Sequence, residues 1–356
     1  MRHALARWSL LLLLVAAGGL AAYRAVRPAS SPREPEPGPT LADALDGRTA
    51  ARLTVPGSPP ESTFGLVGDV AMAKEGRTFV LDVLNREVGA FNGAAERTAL
   101  LGRPGPGPGE FLGPIALAVD DAGGGVYVLD ERKQGIDVFD PARGEWQRTI
   151  PLDFHAADLC FLSGRLYVLG GRNGFLLHEV SKDGAVLRSF APDADSENLL
   201  LRGYRSGGYL GCAPNGEIAF LPTLRPVVTR FSAERGTLLG TASIPGYHAV
   251  RVRLVERGVQ FDVPGGGSHD YGSSIIPLPG GDWLVQVGRL KRGSNSHHEF
   301  ISVRSHRLSA RDGQIRPLPV QLPRVMAAGE EVVYAVDTSP YPAVRIVPNP
   351  LSELLP

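Results

Sequence analysis

The chain has 356 residues, 43% of them apolar, and its 44 glycines and 30 prolines make up about a fifth of the total. This composition predicts a folded, turn-rich protein rather than a disordered or collagen-like one. Its 37 basic and 37 acidic residues give a formal net charge of 0, which excludes the basic footprint that nucleic-acid binding requires. Two cysteines are too few for a disulfide-built scaffold or a four-thiolate zinc site.

The N-terminal segment has the pattern of an export signal. Arg2 and Arg7 precede an apolar run over residues 10–22, which is short of the ~20 residues of a membrane-spanning helix. Residues 1–23 are therefore predicted to be a signal peptide or a signal anchor, and membrane attachment would use residues 8–23 only. Residues 24–48 are predicted to be a Pro-rich, extended linker. The protein is expected outside the cytosol, in the periplasm or extracellular space.

The rest of the chain, residues 49–356, contains an internal repeat. Its clearest copy, residues 115–150, reads as four short strands separated by Gly-containing turns. The pattern of the second strand recurs six times, starting at Phe79, Tyr127, Tyr167, Ala219, Leu284 and Tyr334. Six antiparallel four-stranded sheets at this period predict an all-β, six-bladed β-propeller.

The ends of the chain are predicted to close the ring. The sixth copy lacks a fourth strand before the proline-rich end, and residues 51–55 are the candidate to supply it, which would protect the open sheet edge. Insertions at residues 191–206 and 245–269 interrupt the repeat. We expect one or two helical turns within 193–201 and an extra strand pair within 250–263, and loops of this kind commonly carry specificity.

Residues 102–111, followed by 114–120, 125–130 and 136–139, resemble the NHL-type repeat of six-bladed propellers. The resemblance implies the propeller fold. Propellers resembling this one include lactonases, peptidyl-hydroxyglycine lyases and streptogramin lyases, which place metal ligands or acid–base residues on the inner strands. The glycine run at 102–109 is interpreted as a connection between blades, because its alternate prolines have no N–H to offer a phosphate.

Counting back about ten residues from each second strand locates the start of each innermost strand. The residues found there are Asp69, Ile115, Asp158, Tyr209, Ser274 and Arg324. His155, Ser206 and Tyr271 lie three positions earlier, with His269 and Asp270 beside them. All of these except Ile115 form the predicted ligand-binding set at the channel mouth. Imidazole and carboxylate groups suit a calcium or zinc ion or an acid–base pair, but an Asp there could equally accept a local backbone N–H.

Two functions remain open. The first is a non-catalytic binding or scaffold propeller without a cofactor, which engages a protein or glycan through the channel mouth and the inserted loops. The alternative is a metal-dependent lyase or hydrolase with an inner-strand Asp/His site. The first is preferred because Ile115, Tyr209 and Arg324 interrupt a ring of metal ligands.

Two further expectations concern the cysteines and the one dense histidine cluster. Cys160 and Cys212 fall on adjacent innermost strands, and packed sheets are ~10 Å apart whereas a disulfide needs Cα atoms within ~7 Å. They are therefore predicted to be separate buried thiols. His297, His298 and Glu299 are predicted to lie in a solvated turn.

Overall fold

The computed structural model describes residues 51–53, 64–73, 76–120, 124–194, 201, 204, 206–256, 258–263, 267–292, 298–319, 322–337 and 342–349, without the side chains of 292 and 298–301. The predicted leader and linker, residues 1–48, lie outside the described residues. Within the described part, no helix is long and apolar enough to cross a membrane.

The described residues form twenty-six strands, and all but two of these belong to four-stranded sheets. The first is β1 (Ala51–Leu53). Blade 1 contains β2 (Val67–Met72), β3 (Thr78–Asp82), β4 (Glu87–Phe91) and β5 (Arg97–Leu101). Blade 2 contains β6 (Pro114–Asp120), β7 (Gly125–Asp130), β8 (Gly135–Phe139) and β9 (Trp146–Pro151). Blade 3 contains β10 (Ala156–Leu162), β11 (Arg165–Arg172), β12 (Phe175–Val180) and β13 (Val186–Pro192).

The second half continues in the same way. Blade 4 contains β14 (Gly208–Cys212), β15 (Glu217–Pro222), β16 (Val227–Ser232) and β17 (Leu238–Ser243). A separate hairpin follows, made of β18 (Arg251–Val255) and β19 (Gly258–Asp262). Blade 5 contains β20 (Ser268–Pro277), β21 (Trp283–Arg292), β22 (His298–Leu308) and β23 (Ile315–Pro317). Blade 6 contains β24 (Arg324–Ala328), β25 (Val332–Asp337), β26 (Ala343–Pro348) and β1.

The six sheets form a closed ring. Each is an antiparallel meander, and the first strands β2, β6, β10, β14, β20 and β24 contact one another in this order, with β24 returning to β2. The predicted six-bladed β-propeller is confirmed. All six second-strand patterns lie in second strands, and their aromatic residues Phe79, Tyr127, Tyr167 and Tyr334 are buried in the apolar clusters between blades.

The predicted ring closure is also confirmed. Strand β1 pairs with β26, with Ala51 opposite Ile346 and Leu53 opposite Val344. The Leu53 side chain is buried in the cluster between blades 6 and 1. Strand β1 thereby completes the last blade, and no unpaired β26 edge remains along these residues.

The insertions and the blade connections lie at one face of the disc. In an antiparallel meander, the innermost strand begins where the preceding blade ends, and the turn between second and third strands lies at the same end. We call this end the upper face. The predicted strand pair within 250–263 is confirmed as β18 and β19, both connected at this face. Of the predicted helical segment at 193–201, residue 201 is helical and residues 195–200 lie outside the described part.

Blade 5 is longer than the others at the upper face. Its first three strands have 10, 10 and 11 residues, whereas β14, β15 and β16 in blade 4 have 5 or 6. His298 and Glu299 belong to β22, with His298 opposite Arg292. The prediction of a solvated turn is therefore wrong for these two residues, because β21 and β22 of blade 5 remain paired up to Arg292 and His298. His297 lies outside the described residues.

The glycine run at 102–109 connects β5 to β6, as predicted. The Gly107 N–H donates to Glu110 Oε2 at 2.9 Å, and Arg103 Nε donates to Glu110 Oε1 at 2.9 Å. Lys133 Nζ from the neighbouring turn donates to the Glu110 carbonyl oxygen at 3.1 Å. The Glu110 carboxylate thus already accepts the hydrogen bond of the Gly107 N–H, which is therefore not free to bind an anion.

The prediction of separate thiols is wrong. Cys160 on β10 and Cys212 on β14 form a disulfide with a Cα–Cα distance of 5.8 Å. The ~10 Å spacing used to exclude it describes sheets packed face to face. Blades of a propeller are wedges, and β10 and β14 are innermost strands in direct contact. The sheets therefore converge at the channel to a distance that a disulfide can bridge.

Candidate functional site

The predicted inner-strand positions are equivalent in five of the six blades. Each of these residues lies opposite the third residue of the second-strand pattern in its own blade. The pairs are Asp69 with Leu81, Asp158 with Leu169, Tyr209 with Leu221, Ser274 with Gln286, and Arg324 with Val336. In blade 2, a register shift between Pro114 and Ala116 places Ala116, not Ile115, at this position. Bulges at the same position precede Asp69, Asp158 and Ser274, where the count was correct, so the bulge does not explain the error. Ile115 lies 12 residues before Tyr127 and Ala116 lies 11, whereas Asp69 lies 10 residues before Phe79.

Asp69 and Asp158 each join their own blade to the next one. Asp69 Oδ1 accepts from the Val70 N–H at 2.8 Å, and its Oδ2 accepts from the Leu117 N–H of blade 2 at 2.9 Å. Asp158 Oδ1 accepts from the Leu159 N–H at 2.8 Å. Its Oδ2 accepts from the Leu210 N–H of blade 4 at 2.7 Å. Both carboxylates therefore satisfy backbone groups that face the channel.

Gln286 provides the same link from blade 5 to blade 6, and sequence reasoning missed it. Its Oε1 accepts from the Val325 N–H at 2.7 Å and from Ser274 Oγ at 2.9 Å. Its Nε2 donates to Ser305 Oγ at 3.0 Å and to the Pro323 carbonyl at 2.9 Å. The signal was visible, because Gln286 is polar at a position that is Leu or Val in the other five copies. Predicted site residue Ser274 belongs to this buried network.

The three acceptors obey an alternating rule. They come from blades 1, 3 and 5, and the N–H donors Leu117, Leu210 and Val325 come from blades 2, 4 and 6. Each donor lies opposite the second residue of the second-strand pattern in its own blade, which is Val128, Phe220 or Ala335. The three donors therefore occupy equivalent positions. Side chains from alternate blades therefore fasten the inner strands together around the channel.

The two carboxyls also influence each other electrostatically. Burial raises the pKa of Asp69 to about 6, against the lowering effects of its backbone hydrogen bonds and of the Arg324 charge. Burial, and then the charge of Asp69, raise the pKa of Asp158 well above its ordinary value. A buried pair of like charges resists double ionisation. The pair accordingly releases its protons at higher pH than isolated aspartates do.

Aromatic and cationic groups from blades 4, 5 and 6 meet in the same channel. The Arg324 guanidinium lies 6.0 Å from the centre of the Tyr209 ring, and its Nη2 donates to the Ser273 carbonyl at 3.2 Å. Burial and the neighbouring Tyr209 raise the pKa of Tyr271 to about 12. Gly288 leaves room for the Tyr271 ring, since a Cβ there would lie 2.4 Å from Tyr271 Cζ. Five predicted site residues, Asp69, Asp158, Tyr209, Tyr271 and Arg324, are therefore brought together.

The other predicted residues have different partners. Ser206 Oγ donates to Asp193 Oδ1 at 3.1 Å within the segment between blades 3 and 4. His155 is exposed, and its ring nitrogens lie 2.9 and 3.2 Å from Gln134 Nε2 at the junction of blades 2 and 3. His269 is buried in β20 opposite Leu290. His155 is thus engaged with Gln134, at the junction of two blades.

Asp270 is the centre of a separate charged cluster. Its carboxylate is fully buried and accepts from Arg289 Nε at 2.7 Å and from Arg304 Nη2 at 2.5 Å. The His248 N–H donates to Asp270 Oδ2 at 2.7 Å. These bonds hold the pKa of Asp270 below its usual value despite the opposing effect of burial. This cluster supports the long strands of blade 5, and the repeat pattern did not reveal it.

The described residues contain no group of three or more His, Cys, Asp or Glu side chains that could hold a metal ion. In the channel, only Asp69 and Asp158 supply carboxylates, and all four of their oxygens accept backbone N–H groups. Calcium takes 6–8 oxygen ligands and zinc usually takes four ligands. The channel donor set does not fit either ion.

The two inserted segments contact each other at the upper face. Tyr204 from the segment between blades 3 and 4 packs against Phe261 of β19, with ring centres 5.1 Å apart. The hairpin exposes apolar side chains, since Leu254 and Phe261 are 41% and 44% exposed. The upper face therefore carries the inserted segments, the extended blade 5 and the starts of the polar inner strands.

Residues 60–182 match a family model described as a 6-bladed beta-propeller, which covers about a third of the chain. No curated protein sequence matches the chain. A Bacteroides fragilis protein, provisionally described as exported, is similar with 12% identity and a TM-score of 0.53, over 80% of this chain and 83% of that one. Kuenenia stuttgartiensis hydrazine synthase is similar with 11% identity and a TM-score of 0.50, over 79% and 76%. These likenesses agree with the propeller fold and show nothing further.

Proposed function

We propose that this protein is an exported, non-catalytic binding propeller that engages a protein or glycan ligand at its upper face and needs no metal cofactor. The observation that carries the proposal is the gathering of specific features at one face. The inserted segments, the long strands of blade 5 and the Tyr209, Tyr271 and Arg324 cluster all belong to the same end of the disc. A regular propeller needs none of these for folding, and inserted loops on a rigid scaffold commonly bind ligands.

The channel carboxyls support binding in preference to catalysis. A pKa of about 6 would suit a general acid or base. However, both oxygens of Asp69 and both of Asp158 are engaged by backbone N–H groups, two of them from neighbouring blades. These carboxylates stabilise the ring by linking the inner strands of neighbouring blades. The tyrosine rings and the guanidinium beside them offer aromatic faces and hydrogen-bond donors to a ligand instead.

Three observations support a location outside the cytosol. The leader at residues 1–23 has the order of an export signal. Cys160 and Cys212 form a disulfide, a bond that persists in oxidising compartments. A structural neighbour of similar size is provisionally described as exported. We propose a periplasmic or extracellular location, with residues 8–23 either removed or retained as an anchor.

The proposal is tested by binding screens with matched variants. The purified protein is applied to a glycan array and to a displayed peptide library, and hits are measured again with Tyr209→Ala, Phe261→Ala and Arg235→Ala. Arg235 is exposed in the β16–β17 turn at the opposite, lower face. We expect the first two changes to weaken a hit about tenfold or more and Arg235→Ala to leave it unchanged. Hits that weaken equally with Arg235→Ala, or a complete lack of hits, would contradict upper-face binding.

A metal-dependent alternative is distinguished by two measurements. Elemental analysis of the purified protein and a thermal melt with and without chelator are expected to show no stoichiometric metal and no shift. A bound equivalent whose removal lowers the melting temperature by several degrees would favour the metal-dependent lyase or hydrolase.

A further inference from the structure

A pocket between blades 4 and 5 lies apart from the channel. It has a volume of about 460 Å³, which is within the range of small-molecule sites. Pro245 and Gly246, from the segment that follows β17, form one side. The other side is formed by Arg304 and His306 of β22, together with Pro317 and Leu318 at the end of β23.

Arg304 and His306 lie on the same face of blade 5, because alternate residues of a strand point to the same side. They are opposite Val287 and Val285, which belong to the apolar cluster shared with blade 4. The two side chains therefore face blade 4 and the pocket. Ser305, between them, faces blade 6 through its bond to Gln286.

Both side chains have a polar atom without a partner among the described residues. His306 is 1% exposed and its ring interacts with the backbone of Val285 and Pro245, while its Nδ1 has no hydrogen-bond partner of good geometry. Arg304 Nε is likewise buried with no hydrogen bond. An unsatisfied buried polar group is costly and rare in folded proteins. Both groups line one pocket, so a ligand bound there would meet two polar atoms that the described residues leave without a hydrogen bond.

The local charge identifies the kind of ligand. Arg304 and Arg289 share the single carboxylate of Asp270, so the cluster retains one excess positive charge beside the pocket. Repulsion from Arg289 adds to the effect of burial and lowers the pKa of Arg304. Burial and the Arg304 charge lower the pKa of His306, which keeps its imidazole neutral at pH 7. An incoming anion would relieve the excess charge, and a neutral imidazole can add a hydrogen bond.

The backbone around Arg304 is shaped to hold the guanidinium at the pocket. Arg304 Nη1 donates to the Gly246 carbonyl at 3.0 Å. Gly246 has a φ of 62°, and a Cβ there would lie 3.3 Å from Arg304 Nη1. A larger residue at this position would be strained and would crowd the guanidinium. Arg304 is thus held from two sides, while its Nε edge is left without a bond.

We propose that this pocket binds a carboxylate attached to an apolar group, with Arg304 holding the carboxylate and Pro317 and Leu318 contacting the apolar part. A guanidinium is suited to carboxylate recognition, and the proline and leucine surfaces suit a hydrocarbon. A free organic acid and a peptide C-terminus share this chemistry. The site is independent of the channel mouth.

The test uses calorimetric titration of the full protein with four probes. They are 3-phenylpropanoate, N-acetyl-leucyl-proline with a free carboxyl end, and the corresponding primary amide of each acid. We expect at least one acid to saturate the protein below about 10 mM and its amide twin to bind about tenfold more weakly or worse. If 3-phenylpropanoate binds more tightly than N-acetyl-leucyl-proline, the ligand class is a small organic acid. If the dipeptide binds more tightly, the ligand class is a peptide C-terminus.

Three variants locate the binding. Arg304→Gln is expected to weaken the acid about tenfold or more. Arg316→Gln removes an exposed cation of the neighbouring strand β23 that does not line the pocket, and binding should be unchanged. Leu318→Trp fills the cavity without touching the charge cluster. It should abolish binding even if Arg304→Gln lowers the melting temperature.

Three results would overturn the proposal. The first is a folded wild-type protein that neither acid saturates at about 10 mM. The second is equal affinity for an acid and its amide. The third is wild-type affinity in folded Leu318→Trp protein.

Discussion

The desolvated, partly exposed carboxyl pair in the channel predicts an unusual dependence of stability on pH. The pKa of Asp69 is raised from 3.8 to about 6 in the folded protein, so the folded state binds this proton more tightly than the unfolded state. Stability associated with Asp69 is therefore fully present below pH 3.8 and is lost as the pH rises through about 6. A salt-bridged carboxylate has a lowered pKa in the folded state, so its contribution to stability would rise with pH instead.

The magnitude follows from the size of the rise. At 1.36 kcal/mol per pH unit, the rise in the pKa corresponds to about 3 kcal/mol. Both channel carboxyls are partly exposed, so screening by water reduces the effect, and we expect about 2 kcal/mol of stability to be lost between pH 4 and pH 7.5. Asp158 extends the decline to higher pH, because its pKa is raised in part by the charge of Asp69.

The assay is urea unfolding monitored by tryptophan fluorescence at several pH values from 4 to 7.5. Asp69→Asn removes one titrating group and also the charge that raises the pKa of Asp158, so its stability should fall less steeply with pH than that of the wild type. Asp183→Asn, exposed in the β12–β13 turn, is the matched control and should parallel the wild type. Parallel curves for Asp69→Asn and wild type would refute the idea that the channel pair is desolvated.

Three further changes test the structural links. Gln286→Leu should destabilise the fold by about 2–3 kcal/mol, because the buried Val325 N–H loses its acceptor; a change below about 0.5 kcal/mol in chemical unfolding would contradict the link. Replacing Cys160 and Cys212 by serine should lower stability by about 4 kcal/mol for a crosslink spanning 52 residues, and a reducing agent should affect only the wild type. Leu53→Ala should cost about 2–4 kcal/mol, because Leu53 is 1% exposed in the closing blade; an unchanged melting temperature would argue against ring closure by β1.

The repeat pattern predicted the inner-strand positions well because the pattern is local. Counting from the second strands placed Asp69, Asp158, Tyr209 and Arg324 in equivalent positions, and the structure brings them together with Tyr271. The count failed at Ile115, because the first hairpin of blade 2 places Ala116, one residue later, opposite Leu129. The register of a hairpin depends on how its two strands pair, and the spacing of apolar residues does not fix it to a single residue.

The same reasoning could not place the histidines or the charge cluster. His155 and His269 were assigned to the mouth by sequence distance, yet His155 contacts Gln134 of blade 2 and His269 is buried within β20. Arg304 was not considered, because it is on a third strand 34 residues from Asp270. Contacts between outer strands and inserted segments depend on the width and tilt of the blades. Those dimensions are properties of the assembled ring.

From the amino-acid order alone follow six four-stranded sheets, closure by the first strand and insertions on either side of blade 4. These features depend on alternation of apolar residues and on turn residues, which act over a few positions along the chain. The tertiary structure decided that Cys160 and Cys212 bond, that two carboxyls share a desolvated channel, and that Arg304 faces a pocket. Each of these depends on distances between blades, which narrow toward the axis and are set only when all six wedges pack together.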